Sequence, residues 1–103
     1  MKLRDHPDIS YKGFRSWPPM WVWRGGDRYT HAVGEVGVLK QVLPLTTDPC
    51  DRCFLIIEHD GQEYRGVLLV EDSCLCREVY RALVEHCGEP IQQIAEIDLT
   101  YSR

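Results

Sequence analysis

The chain lacks the features that most quickly identify a function. Its longest apolar runs, residues 54–57 and 67–70, have the length of strands and are far too short to span a bilayer. Residues 1–7 contain no apolar segment of the secretory type, which favours the cytosol. Phosphate-binding loops, nucleophile elbows and the zinc-protease helix motif are also missing from the sequence. The sequence therefore gives no support for an enzyme.

Internal repeats and low-complexity tracts are missing too, which argues against a repeat array or a linker-rich protein. The chain has 103 residues, of which 44% are hydrophobic and 27% are charged. This composition is ordinary for a folded globular protein. The length is sufficient for one small domain with a single core.

Positive charge is scarce in most of the chain and is concentrated near its start. Residues 1–28 carry six basic and three acidic side chains, a net charge of +3. The remaining residues carry six basic and thirteen acidic side chains, a net charge of −7, which gives −4 in total. Six of the ten aromatic residues lie between Tyr11 and Tyr29. The basic part of the chain is thus also its aromatic part.

All three tryptophans lie within seven residues, braced by two prolines and followed by two glycines. Tryptophan, tyrosine and arginine are the residues that most often dominate protein–protein interfaces. We therefore predict a surface that binds a protein partner. Its residues are Trp17, Trp21, Trp23, Arg24, Arg28 and Tyr29.

Two other interpretations of this segment remain open. A small sheet needs large side chains, so Trp21 and Trp23 could fill its interior while Trp17 lies over its end. The rings and guanidinium groups could also stack on bases and meet phosphates, as in a weak binder of RNA or single-stranded nucleic acid. The acidic remainder of the chain counts against strong nucleic-acid affinity, because such binding requires a positive footprint.

The first half of the chain reads as an arm followed by strands. Prolines and glycine in residues 1–20 predict an extended N-terminal arm, with a single domain over residues 21–103. Residues 21–23 and 35–43 predict strands, joined by a turn and a loop through residues 29–34. Residues 53–59 and 62–70 predict a hairpin around Asp60-Gly61, with Ile57 opposite Tyr64.

The second half predicts one helix before a last strand. Asp72 or Ser73 is a candidate N-cap, and Gly88 is the predicted end of the helix. Apolar residues recur at helical spacing on one side: Cys76, Val79, Tyr80, Leu83 and Cys87. Ile91 and Ile94 fit one more turn, and alternation over residues 97–101 predicts a final strand. The fold class is α+β, a small curved antiparallel sheet of four or five strands that could form an SH3-like partial barrel.

Five cysteines are many for this length, yet their odd number argues against a disulfide framework. Two close pairs form C-x₂-C and C-x-C patterns: Cys50, Cys53, Cys74 and Cys76. Because the hairpin brings the second pair back toward the first, a zinc-stabilised structural domain is an alternative function. The simpler interpretation is that Cys53 and Cys76 are reduced core residues, without a cofactor.

Several short segments stand out along the chain. They are residues 17–19, 21–23, 34–37, 52–55, 64–66 and 97–99. Together they resemble a family of short bacterial proteins with no assigned function, over nearly the whole chain. The resemblance implies a small bacterial cytosolic domain. It implies no activity, ligand or functional residue.

Overall fold

The structure is a computed structural model that describes residues 1–11, 21–22, 31–32, 37–45 and 49–100. For Tyr11, residues 21–22 and residues 31–32 it describes the backbone only. The elements in chain order are a 3₁₀ helix (Leu3–Asp5), strands β1 (Ile9–Tyr11), β2 (Trp21–Val22), β3 (His31–Ala32), β4 (Val38–Val42), β5 (Arg52–His59) and β6 (Gln62–Val70), and helices α1 (Ser73–Glu85) and α2 (Ile91–Ala95).

Four strands form one antiparallel sheet in the order β1-β6-β5-β4, and β2 and β3 form a separate antiparallel pair. The helices follow the last strand, and α1 packs against β4, β5 and β6. The predicted α+β class with a small antiparallel sheet is therefore confirmed. The four-stranded sheet is open, with β1 and β4 at its edges, so the described strands do not close a barrel.

The hairpin of β5 and β6 has the predicted register. Ile57 pairs with Tyr64, and His59 pairs with Gln62 across a two-residue turn. The turn residues Asp60 and Gly61 have φ angles of 51° and 74°, as a type I′ turn requires. This turn matches the right-handed twist of the strands, so it sets which side chains face the core.

The core lies between one face of the sheet and α1. Along β5, the side chains of Cys53, Leu55 and Ile57 are buried in alternation with more exposed neighbours. Leu68 of β6 lies on the same face. The helix contributes the buried stripe Leu75, Cys76, Val79 and Leu83. Buried residues thus recur at every second position along the strands and at every third or fourth position along the helix, and the two sets face each other in one core.

Helix α1 begins where the sequence predicts. Asp72 is the N-cap, and its Oδ1 accepts hydrogen bonds from the amides of Cys74 at 2.8 Å and Leu75 at 3.3 Å. The helix ends earlier than Gly88, because His86 is the C-cap. Gly88 instead has a φ of 100° and donates its amide to Leu39 O at 2.7 Å, at the edge of β4. Two stripe positions differ from the prediction: Leu75 is buried and Cys87 is exposed.

The predicted final strand is wrong over the described residues 97–100. The additional helical turn predicted around Ile91 and Ile94 is helix α2. After it, over the described residues, the strand pairing is limited to an isolated bridge between Asp98 and Lys2. The amide of Leu3 donates to Ile97 O at 2.8 Å, and the amide of Leu99 donates to Met1 O at 2.9 Å. The pairing stops there because Leu3 enters the 3₁₀ helix and turns away.

Two further local predictions need correction. The predicted arm contains a strand, because Ile9–Tyr11 pairs with the end of β6. The predicted loop through residues 29–34 contains β3, which pairs with β2. The division into an arm (residues 1–20) and a domain (residues 21–103) stays a prediction, since residues 12–20 lie outside the described part. Leu3 and Ile9 nevertheless belong to the core.

No helix in the described residues is both long and apolar enough to cross a membrane.

Candidate partner-binding site

Strand β2, which belongs to the tryptophan-rich segment (residues 17–29), pairs with β3. Trp21 pairs with Ala32, and Val22 pairs with His31. Residues 23–30 therefore connect two paired positions, Val22 and His31. They include four of the six predicted binding residues: Trp23, Arg24, Arg28 and Tyr29. These four residues and Trp17 lie outside the described residues, and Trp21 is described by its backbone alone.

The β2–β3 pair lies close to the main sheet. Cα atoms of β2 come within 8 Å of Cα atoms of β6, although the two strands are not hydrogen-bonded partners. Strand β6 is an interior strand of the sheet, held by β1 on one side and β5 on the other. The β2–β3 pair thus adjoins an interior strand of the main sheet. Binding loops are commonly placed on such rigid scaffolds.

Among the described residues, aliphatic side chains line the interior beneath α1. Leu39, Leu55, Ile57 and Leu68 of the sheet are each at most 1% exposed. They meet the buried stripe of α1, whose members are equally inaccessible. Over the described residues, the core between helix and sheet is therefore predominantly aliphatic.

The cysteines fall into two groups with different surroundings. Cys50, Cys53 and Cys76 are buried, whereas Cys74 and Cys87 are exposed. The Sγ atoms of Cys53 and Cys76 are 3.8 Å apart. Burial raises the pKa of Cys53 to about 11. Burial also raises the pKa of Cys76, and the neighbouring thiols of Cys50 and Cys53 add to that increase. The two contacting thiols are therefore largely protonated at neutral pH, which slows their reactions as nucleophiles.

The predicted zinc ligands do not converge as a set of four. Cys74 is exposed at the start of α1, while the other three thiols point into the core. Within the described residues, no group of three or more histidine, cysteine, aspartate or glutamate side chains is arranged to hold a metal ion. The zinc alternative therefore receives no geometric support. Metal analysis of protein purified without chelator remains its test.

The polar side chains at the hairpin tip do not form a catalytic group. Glu58 lies 3.4 Å from the Nζ of Lys40, and that lysine also contacts Glu63. His59 lies 3.6 Å from the carboxylate of Asp60, at the exposed turn. Neighbouring strand residues point to opposite faces, so Glu58 and His59 have separate partners. The arrangement is that of a solvated hairpin end.

A polar groove of about 380 Å³, which the sequence did not indicate, lies between α1 and the segment that follows α2. Arg81, Glu85 and His86 line one side of it, and Asp98 and Thr100 line the other. Glu78 crosses the groove at one end, where it accepts a hydrogen bond from the Thr100 amide at 3.0 Å. The lining residues come from α1 and from the segment after α2, and no sequence pattern indicates that these two parts lie side by side. Its mixed charges select no particular ligand.

No family model matches this chain, and neither a curated protein nor a solved structure matches it. The resemblance to short bacterial proteins stays a prediction. The site therefore rests on the residues and their placement in this chain alone.

Proposed function

We propose that this protein is a non-enzymatic interaction module that binds a protein partner through its tryptophan-rich segment. The observation that carries the proposal is the pairing of Val22 with His31, which closes the connection bearing Trp23, Arg24, Arg28 and Tyr29. These four residues lie within seven positions of one another in the sequence and supply two aromatic rings and two guanidinium groups. Such groups bury large surfaces at low entropic cost and dominate interface energetics.

The charge distribution favours a protein partner over nucleic acid. The net charge of +3 in residues 1–28 stands against −7 in the rest of the chain. Nucleic-acid affinity grows with the number of phosphates neutralised, and the acidic remainder opposes the approach of a polyanion. An acidic patch on a protein partner is complementary in charge to the basic part of the chain. Unlike a long polyanion, a small patch need not approach the acidic remainder of this protein. The unpaired thiols also favour the cytosolic location expected from the sequence.

The double substitution Trp17→Ala and Arg24→Ala tests this proposal. We expect it to weaken partner binding at least about 30-fold, because hot-spot residues commonly contribute 2 kcal/mol or more each. The measurement is quantitative affinity capture from a lysate of the source cells, followed by titration of the captured protein against both baits. Circular dichroism and thermal melting of the variant establish that its fold is retained.

Arg65→Ala is the matched control, because Arg65 is exposed on β6 outside the segment. We expect this control to capture the partner as the natural sequence does. Equal capture by the double variant would place the binding surface elsewhere. Loss of cooperative melting on substituting Trp17 or Arg24 would instead show that the segment belongs to the core. If RNA were the ligand, titration at low salt would show binding that weakens steeply as salt is added.

A further inference from the structure

Three of the five thiols gather at one place in the core, although they come from three parts of the fold. Cys50 lies in the loop before β5, Cys53 lies in β5, and Cys76 lies in the first turns of α1. All three are buried, with exposures of 3%, 0% and 0%. The interaction module proposed above makes no use of these sulfur atoms.

The contact between Cys53 and Cys76 follows from local geometry on both sides. Cys53 faces α1 because it shares the inward face of β5 with Leu55 and Ile57. Cys76 faces the sheet because the N-cap at Asp72 fixes the start of the helix, and the Cys76 amide donates to Asp72 O at 2.8 Å. Their Sγ atoms are 3.8 Å apart. A disulfide requires the two sulfurs to approach to about 2 Å, and no described side chain other than the two cysteines has to supply an atom.

We propose that Cys53 and Cys76 form a latent disulfide, a modification site that joins β5 to α1 when the protein meets a small-molecule disulfide oxidant such as oxidised glutathione. In the first step, the thiolate of one cysteine attacks a sulfur of the oxidant, forming a mixed disulfide and releasing one small thiolate. In the second step, the other cysteine attacks the protein sulfur of the mixed disulfide and releases the second small thiolate. The two protons lost by the cysteines pass to the two leaving thiolates, so one oxidant is reduced to two thiols as two cysteines become one cystine.

Burial determines how this site behaves. Neither sulfur is accessible in the closed fold, so the first attack waits for a local opening between β5 and α1. The raised pKa values reduce the thiolate fraction and slow the reaction further. Once formed, the bond is sealed from reductants in the same way. The expected product is a slow-forming, persistent crosslink.

The test is incubation of the folded full chain in a glutathione buffer poised from reducing to oxidising. Remaining thiols are blocked by alkylation, and the disulfides are mapped by mass spectrometry of peptides. We expect an intramolecular Cys53–Cys76 bond with a loss of 2 Da, since two hydrogens leave. We also expect the melting temperature to rise by roughly 10 °C relative to the reduced protein, because the bond closes the loop over residues 53–76.

Matched variants separate this pair from the exposed thiols. Cys74→Ala and Cys87→Ala should retain both the crosslink and the rise in melting temperature, while Cys53→Ala should lose both. The peptide map of the natural sequence decides the question even where a core variant folds poorly. A Cys50–Cys76 or Cys50–Cys53 bond, or glutathione adducts on Cys74 and Cys87 alone, would overturn the assignment. So would a completely reduced Cys53 after equilibration at the oxidising end.

Discussion

Leu83→Ala is expected to lower the free energy of unfolding by about 2–5 kcal/mol, the usual range for truncating a buried leucine. Leu83 is fully buried on the inward stripe of α1 and belongs to the main core cluster. Alanine is the best helix former, so the substitution leaves the helix itself intact and removes packing alone. The cost has two parts, the lost transfer free energy of the side chain and the cavity that remains.

Val84→Ala is the matched control, one position along the same helix. Val84 is 47% exposed, so its truncation should change the free energy of unfolding by less than about 1 kcal/mol. Both variants are measured by urea denaturation, with the midpoint and the slope compared to those of the natural sequence. Equal losses in the two variants would contradict the orientation of α1 on the sheet.

Leu3→Ala is expected to cost a similar amount, about 2–5 kcal/mol, although it lies at the third position of the chain. Leu3 is 1% exposed and sits within the core cluster. Its amide is also held by Ile97 O at 2.8 Å, in the segment after α2. The beginning and end of the described fold therefore support each other, and truncation of Leu3 opens a cavity between them.

Arg4→Ala provides the control in the same 3₁₀ helix. Arg4 is exposed and pairs with Glu96 at 2.9 Å, a surface ion pair whose removal should cost less than about 1 kcal/mol. Urea denaturation again gives the comparison. If Leu3→Ala proved as mild as Arg4→Ala, the first residues would be an appendage and the bridge between Lys2 and Asp98 would be unimportant for stability.

The elements predicted correctly from the sequence are those that local chemistry determines. Asp60-Gly61 supplies the positive φ angles of a tight turn, and the alternation on both sides then fixes the hairpin register. The sequence also predicts helix α1, because the N-cap Asp72 precedes apolar residues that recur at spacings of three and four. In both elements, propensity, turn chemistry and the apolar pattern agree.

The elements predicted wrongly depend on partners that are distant in sequence. Strand β1 has three residues and is defined by its pairing with the far end of β6. The segment after α2 alternates as a strand does, yet its partner near Lys2 offers only one bridge. Short segments of this kind carry little periodicity of their own, so pairing determines their conformation.

The residues of the candidate site stay a prediction, and the strand pair next to them was not expected from the sequence. The composition of residues 17–29 singles out the segment, and a strand was expected at residues 21–23. The partner strand, His31–Ala32, is too short to give a pattern, although it closes the connection that carries the proposal. The sequence also did not indicate that Cys50 belongs to the buried group of thiols. Cys50 lies in a loop with no periodicity, so nothing marked it as buried beside Cys76.

Tryptophan fluorescence measures whether the tryptophan-rich segment is exposed to solvent, because all three tryptophans of the chain belong to it. Trp21→Phe removes the indole of β2 and leaves Trp17 and Trp23 as the only emitters, with urea-unfolded protein as the reference for full exposure. We expect emission at the long wavelengths typical of hydrated indoles, and quenching by iodide close to that of the unfolded chain. Short-wavelength emission that iodide does not quench until the protein unfolds would contradict an exposed binding surface.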